Sequence, residues 1–269
     1  MLFRSTKGPR DLYGIGVINS LKFNNSMNPD RLSLCYGTLG NGNHFIEIDM
    51  DENGGYYLTI HTGSRSIGPA INDYFNRKGQ EELKLKGINV PYEMTYVDDM
   101  LYIQYVDDVR KATEFARLNR NRIRSIICRK MKWDSEIEFN APHNTISDKF
   151  ILCKGAACEF EMENNIYIPI NMKDGILYGE LNAKNSDEWN YSLPHGSGRL
   201  IKRSEVKNSV TLNMFKKEMD GVFSTSVSKD TLDESPFAYR RIDEIREAVS
   251  DIVNVKGVLT PVYNFKGGN

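Results

Sequence analysis

Polar and apolar positions alternate along this chain at two periods. Ile46 and Ile48 alternate with Glu47 and Asp49, and Leu58 and Ile60 alternate with Tyr57 and Thr59. A period of two predicts a pair of strands, with the Asp51–Gly55 cluster as the turn between them. Pairing Asp49 with Tyr56 sets His44 opposite His61, where facing residues have Cβ atoms about 4.5–5.5 Å apart. That register puts Ile46 and Leu58 on opposite faces, so either both faces are covered or the pairing is displaced by one.

Farther on the period lengthens. Tyr102, Tyr105, Val109, Ala112, Phe115, Ala116, Ile123 and Ile127 recur mostly at three- and four-residue spacing, which predicts a helix over about Asp98–Lys132. A second helix is expected over Gly68–Leu85, starting near Pro69, followed by a loop over Gly87–Val97 that carries Pro91. Phe150–Cys158 and Ile166–Ile170 read as a strand pair around Asn164-Asn165, with further strands at Gly175–Leu181 and Val258–Phe265. Helices are expected over Ile201–Met219 and Arg240–Val253, the second opened by the turn residues Asp233–Pro236. The stretch from Met1 to about Tyr36 is polar and weakly patterned, with Asn24, Asn25, Ser26 and Asn28 bunched together. It reads as an N-terminal extension (1–36), and 37–269 as one domain. The expected fold class is α+β, with mixed sheets carrying the histidine loops and the long helix packed on one face.

Composition narrows the function more than the fold. The 269 residues are 40% apolar and 26% charged, as in an ordinary soluble globular protein. No run approaches the ~18 apolar residues of a membrane span, and the N-terminus lacks a signal peptide's apolar core. A cytoplasmic location is the default expectation. The net charge is −1, whereas binding a long duplex through its phosphates usually takes a more basic chain. Any nucleic-acid contact is therefore expected to be local, at a strand end. Arg120, Arg122 and Arg124 read first as a solvated helix face and second as a phosphate contact. Cys35, Cys128, Cys153 and Cys158 have neither zinc spacing nor a disulfide framework.

Four histidines carry the candidate chemistry. His44 and His61 sit at the open end of the predicted hairpin, flanked by glycines that allow close backbone approach to a ligand. They read as a metal or phosphate site, or as two polar residues at the end of an ordinary hairpin. Pro142 ends regular structure and leaves His143 and Asn144 on a loop edge. In His195-Gly196-Ser197-Gly198-Arg199, the glycines free backbone N–H groups to face an anion, and Arg199 offers a planar fork for phosphate. His195 is a candidate acid, base, ligand or covalent nucleophile, and a structural turn is the alternative.

GTLGNGNHFIEI, HTGSRSIG, FARLNR, PHN, CKGA, HGSGR, SPFAYRRIDEI and the terminal KG, in this order, resemble the RNA-splicing ligase RtcB family. The resemblance extends from about Gly37 to Gly267, and all four histidines match active-site histidines of the family. It implies a GTP- and manganese-dependent ligase joining an RNA 3′-phosphate, or a 2′,3′-cyclic phosphate after hydrolysis, to a 5′-hydroxyl. On this resemblance His195 is the nucleophile that carries GMP, and His44, His61 and His143 are manganese ligands. Asn43, Phe45, Glu47, Asn144, the Pro169–Met172 turn with Asn171, Gly196, Ser197, Gly198 and Lys266 match guanylate-binding positions, and Tyr239 is a further candidate. Glu47 would accept from the guanine N1–H and amine, and Lys266 would donate to O6.

Departures from the family pattern are equally specific. The family's Asp-x-Gly-Cys-Gly-Met motif, a source of two further metal ligands, has no counterpart in these residues, and nothing around Cys35, the thiol near the hairpin, supports it as a substitute. Leu152-Cys153 precede Lys154-Gly155 where the family has His-Arg, and the Pro-Gly-Ser-Met turn reads Pro169-Ile170-Asn171-Met172. Lys173-Asp174-Gly175-Ile176 replace its hydroxyl-bearing continuation. The resemblance thus leaves three expectations: one part of a split ligase completed by a separate chain or served by an accessory activator, a shortened ligase using one metal, or a relative that binds nucleotide or RNA without ligating. Lysine-dependent nucleotidyl transfer lacks its Lys-x-Asp-Gly spacing here, and a phosphohydrolase lacks its short aspartate motifs. A noncatalytic RNA-binding module is the rival from another class.

Overall fold

The structure is a computed structural model that describes residues 12–22, 34–136, 139–158, 164–182 and 187–267. The Asn24–Asn28 cluster and part of the alternation after Glu136 lie outside the described residues. The fold class is α+β, as the patterning predicts. The chain forms two compact units, Met1–Thr38 with Thr62–Asp134, and Leu39–His61 with Ser135–Asn269.

The first unit is helical: α1 (Leu12–Asn19), α2 (Ile67–Leu85) and α3 (Asp99–Met131). In α2 the buried positions Ile67, Ile71, Phe75, Gly79 and Leu83 recur every four residues and make one inward stripe. Ile67, Ile71 and Phe75 meet Leu101, Ala112 and Phe115 of α3 and Ile18 and Leu21 in one apolar core. The predicted stripe on α3 holds at Ala112, Phe115, Ala116 and Ile123, but its first member, Tyr102, is exposed and Leu101 is buried instead. Two polar residues of α3 are fully buried. Asp108 accepts from Lys22 N at 2.8 Å, and Asn119 accepts from Gly37 N at 2.7 Å and donates to Thr38 O at 3.1 Å. Arg120 does not lie on a solvated face: it donates to Thr62 O at 2.9 Å, and burial, helped by Arg117, pulls its guanidinium down to about 10.

The second unit carries the strands. β1 (Phe45–Met50), β2 (Tyr56–His61), β6 (Asn165–Asn171), β7 (Gly175–Leu181) and β10 (Val253–Lys266) form an antiparallel sheet in the order β2-β1-β10-β7-β6, and β9 (Phe223–Ser224) adds a short parallel pairing to β10. The hairpin register differs from the Asp49–Tyr56 pairing by one residue: Asp49 faces Tyr57, and Phe45 faces His61. The displaced register opposes Ile46 to Ile60 and Ile48 to Leu58, so apolar residues meet on one face. Phe45, Glu47 and Asp49 then share the buried face. β10 is longer than the predicted Val258–Phe265 and joins β7 to β1, with a bulge between Val255 and Gly257.

Phe150–Cys158 does not pair with Ile166–Ile170. It breaks at Gly155, whose φ of +63° turns the chain. β4 (Leu152–Lys154) pairs with β3 (Asn144–Ile146), and β5 (Ala156–Cys158) pairs with β8 (Ser192–Pro194). The predicted helix over Ile201–Met219 is two, α4 (Val206–Ser209) and α5 (Leu212–Glu218), because Thr211 interrupts it as an N-cap accepting from Met214 N. The Arg240–Val253 helix shortens to α6 (Ile242–Ala248), with Val249–Ile252 in a turn and Val253 already in β10. Two apolar clusters hold this unit. Ile166, Ile168, Ile170 and Leu177 pack with Ile245 and Val249, and Met172 packs with Val206, Phe215 and Leu232. No helix among the described residues is long and apolar enough to cross a membrane, and none of the four cysteines is in a disulfide.

Candidate active site

The second unit brings all four histidines together. His44 leads into β1, His61 ends β2, His143 leads into β3, and His195 follows β8. The ring centroids of His44 and His61 are 5.9 Å apart, those of His61 and His143 5.3 Å, and those of His143 and His195 4.3 Å. Phe45 stacks on His61 at 5.3 Å. Burial, followed by the neighbouring His143, His44 and His195, holds the His61 imidazole well below its ordinary range, so it is neutral.

The backbone fixes which nitrogen of His195 is available. Its Nδ1 contacts the carbonyl oxygen of Gly155, which can only accept, so Nδ1 is the donor and the neutral form of the ring has its lone pair on Nε2. Gly155 is itself held by Asn144, whose Oδ1 accepts from Gly155 N at 2.9 Å. Asn144 also lies 3.2 Å from His143 Nδ1 through its amide nitrogen. Asn144 thus clamps the loop that orients His195 and touches the neighbouring histidine. Sequence spacing brings Asn144 into the site but not this clamp, which joins residues eleven apart at the end of the β3–β4 pairing.

His44, His61 and His143 suit a divalent transition metal in kind, being imidazoles with His61 held neutral. Their placement does not suit it. His61 and His143 stack at 15° and His143 and His195 at 19°, which aims the rings past one another. Among the described residues, no group of three or more His, Cys, Asp or Glu is arranged to hold an ion.

Beside the histidines lies a buried polar network. Glu47 faces Asn264 across β1 and β10 and accepts from its amide. Burial, followed by the charge of Asp49, pushes the Glu47 carboxyl well up, and burial raises Asp49 to about 6. Lys266 faces Phe45, and its Nζ lies 5.4 Å from that ring's centroid. The same ammonium donates to Glu234 Oε2 at 3.0 Å. Lys266 ends β10 and is 6% exposed. Tyr239 donates to Glu234, as do Arg199 at 3.2 Å and Arg203 at 2.8 Å. Arg199 also reaches Tyr239 OH, Ile201 O and Asp233 O, so its fork is engaged within the protein.

The remaining candidates are placed less uniformly. Asn43 is exposed beside His44. The Gly196–Gly198 loop leans on the end of β6, where the turn expected over Pro169–Met172 starts only after Asn171: Ser197 N donates to Pro169 O at 2.9 Å and its hydroxyl to Ile170 O at 2.7 Å. Asn171 serves that turn, accepting from Lys173 N and Asp174 N, and Met172 is buried in an apolar cluster. Glu234, Asn264 and Asp49 are the residues that sequence reasoning missed. Only Asp49 had a signal, its sharing of a face with Phe45 and Glu47.

An imidazole with one nitrogen tied to the backbone, gathered with three others beside a buried ammonium and carboxyls, defines a class: an α+β protein with a histidine-centred site suited to nucleophilic group transfer. The family model described as tRNA-splicing ligase RtcB matches residues 16–267, and the chain belongs to that family. The RNA-splicing ligase RtcB of Escherichia coli (strain K12) is 30% identical over 257 residues, 86% of this chain and 61% of that protein. The tRNA-splicing ligase RtcB of Pyrobaculum aerophilum is 24% identical, covering 86% of this chain and 59% of its own. That of Aeropyrum pernix is 26% identical, over 78% and 54%. The chain spans about three-fifths of the length of these curated relatives.

Proposed function

We propose that this chain is an RNA ligase acting through a histidine-bound guanylate: it takes GMP from GTP onto His195 and joins an RNA 3′-phosphate or cyclic phosphate to a 5′-hydroxyl. The observation that carries this reading is the contact of His195 Nδ1 with the Gly155 carbonyl. With Nδ1 protonated, Nε2 attacks the α-phosphorus; the Nε2–P bond forms, the P–O bond to the β-phosphate breaks, and pyrophosphate leaves. No other base is needed to free the nucleophile. Lys266 and Glu47 are the proposed guanine contacts at O6 and at N1–H with the amine, and Phe45 supplies an apolar wall. Asn43 and the Gly196 and Gly198 N–H groups are proposed for the phosphates, the Ser197 N–H being held by Pro169 O. Arg199 joins them only on leaving its present partners.

Manganese at His44, His61 and His143 belongs to the proposal on the chemistry of the donors. When bound it would offset phosphate charge; the stacked rings give no common ion position, so no step is derived through it. The RNA ends, a completing chain or activator, and a cytoplasmic setting are likewise proposed from the family resemblance. The stacked rings favour one second reading, a nucleotide- or RNA-binding protein that does not ligate.

One assay separates the two. Full-length chain is incubated with α-labelled GTP, with and without Mn²⁺, beside His195→Ala, and read by denaturing gel and intact mass. An acid-labile GMP adduct absent from the variant is expected. Folded wild type that binds GTP and takes no label would leave the binding-only reading.

A further inference from the structure

Glu234 is 2% exposed and its two oxygens meet four side chains: Lys266 and Tyr239 on Oε2, Arg199 and Arg203 on Oε1. These partners come from three segments far apart in sequence. We propose that Glu234 is the positioning residue of the nucleotide site: a buried counter-ion that fixes the Lys266 ammonium and the Tyr239 hydroxyl for the base and ties both to the loop after His195. The inference rests on the guanylate-site reading of Lys266 and Tyr239.

The physical case begins with the cost of burying an ammonium. Taking Lys266 out of water costs several kcal/mol unless an opposite charge sits within hydrogen-bonding distance. Two carboxyls lie near enough to act. Glu47 is unsuited, because burial and the charge of Asp49 favour its protonated form. Burial also works against the charge on Glu234, but Lys266, Tyr239 and Arg203 outweigh it and hold its carboxyl below the ordinary range. Glu234 is therefore the ionised partner. Its contact with Lys266 takes one of three ammonium protons and leaves two for a base carbonyl.

The same carboxylate fixes the far side. Tyr239 donates its hydroxyl proton to Glu234 and accepts from Arg199 at 3.1 Å, so its ring orientation is set from both sides. Arg199 and Tyr239 also form an isolated β-bridge. Arg199 lies four residues after His195, and Arg203 reaches both Glu234 and, at 3.1 Å, Asp233. Base recognition and the placement of the nucleophile's loop thus share one buried charge.

The test uses full-length protein in the guanylation assay, with kcat and KM measured separately for GTP and ATP and a thermal melt on every variant. Glu234→Gln, which keeps shape and removes charge, is expected to raise KM for GTP roughly tenfold and to shrink the GTP-over-ATP preference similarly, with kcat much less affected. Lys266→Met should do the same, and the double variant should match Lys266→Met alone. Unchanged KM and preference in folded Glu234→Gln would overturn the proposal, as would full additivity in the double variant. If Glu234→Gln does not fold, half-exposed Arg203→Gln carries the test; a raised KM for GTP supports the shared charge and an unchanged one overturns it. Wild type that neither takes GMP nor binds GTP would sink the nucleotide-site reading itself, before any variant is compared.

Discussion

Asp49 shows what one residue can hide. It is fully buried, accepts from Thr59 at 2.9 Å through one oxygen, and leaves its other oxygen without a hydrogen-bond partner. With Glu47 as its like-charged neighbour, the pair favours holding a proton, and the proton titrates as a property of both. The folded pKa of about 6 for Asp49 lies above the unfolded value near 3.9, so the fold prefers the protonated form. Its stabilising contribution is present below about pH 4 and is lost as pH rises through about 6. Asp49→Asn is expected to remove that loss. Its stability relative to wild type should improve by about 2–3 kcal/mol between pH 4.5 and 7.5, measured as urea midpoints at each pH. Taking the difference cancels His61, whose depressed pKa gives the opposite slope. A pH-independent difference would mean that Asp49 is ionised throughout. Alternation placed Asp49 with Glu47 and Phe45 on one face; it could not say that this face is the covered one, because its cover, Asn264 and Lys266, comes more than two hundred residues later.

At the scale of elements, local pattern served the helices and long-range pairing decided the strands. The four-residue stripe of α2 and the run of α3 were legible because a helix closes its own hydrogen bonds. The partners of β5 and β10 were not, because each is chosen by a strand distant in sequence. Gly175 illustrates the difference. It ends the turn built by Asn171, opens β7, and has a φ of +79°. A Cβ there would lie 2.0 Å from the Leu259 carbonyl oxygen of β10. Gly175→Ala is therefore expected to cost about 3 kcal/mol or more, the sum of left-handed strain and overlap with a neighbouring strand. Gly54→Ala is the comparison: φ is +83° but nothing lies within 4 Å, so only the strain of about 1–2 kcal/mol applies. Equal urea midpoints for the two variants would show that β10 yields to the extra methyl.

For the whole molecule, the histidines, the Glu234 network and the β10 strand all belong to one unit, whereas Phe115 centres the core of the other. The family blocks ran through both units, so the sequence showed continuity where the contacts show two bodies. Nothing in a one-dimensional pattern marks the boundary, because the helical unit is interrupted by Leu39–His61, which folds with the sheet. If each unit holds its own core, damage to one should leave the other's slow-exchanging amides protected. Phe115 is fully buried, and cutting it to alanine removes about 3–5 kcal/mol of packing. Phe115→Ala is expected to lower hydrogen-exchange protection in α2 and α3 by about that amount while β7 and β10 keep theirs. The peptides that report are far apart in sequence, so the reading is direct. Protection lost equally from helices and sheet would mean that the two units unfold in a single step, and that the stability of the histidine site depends on the helical core.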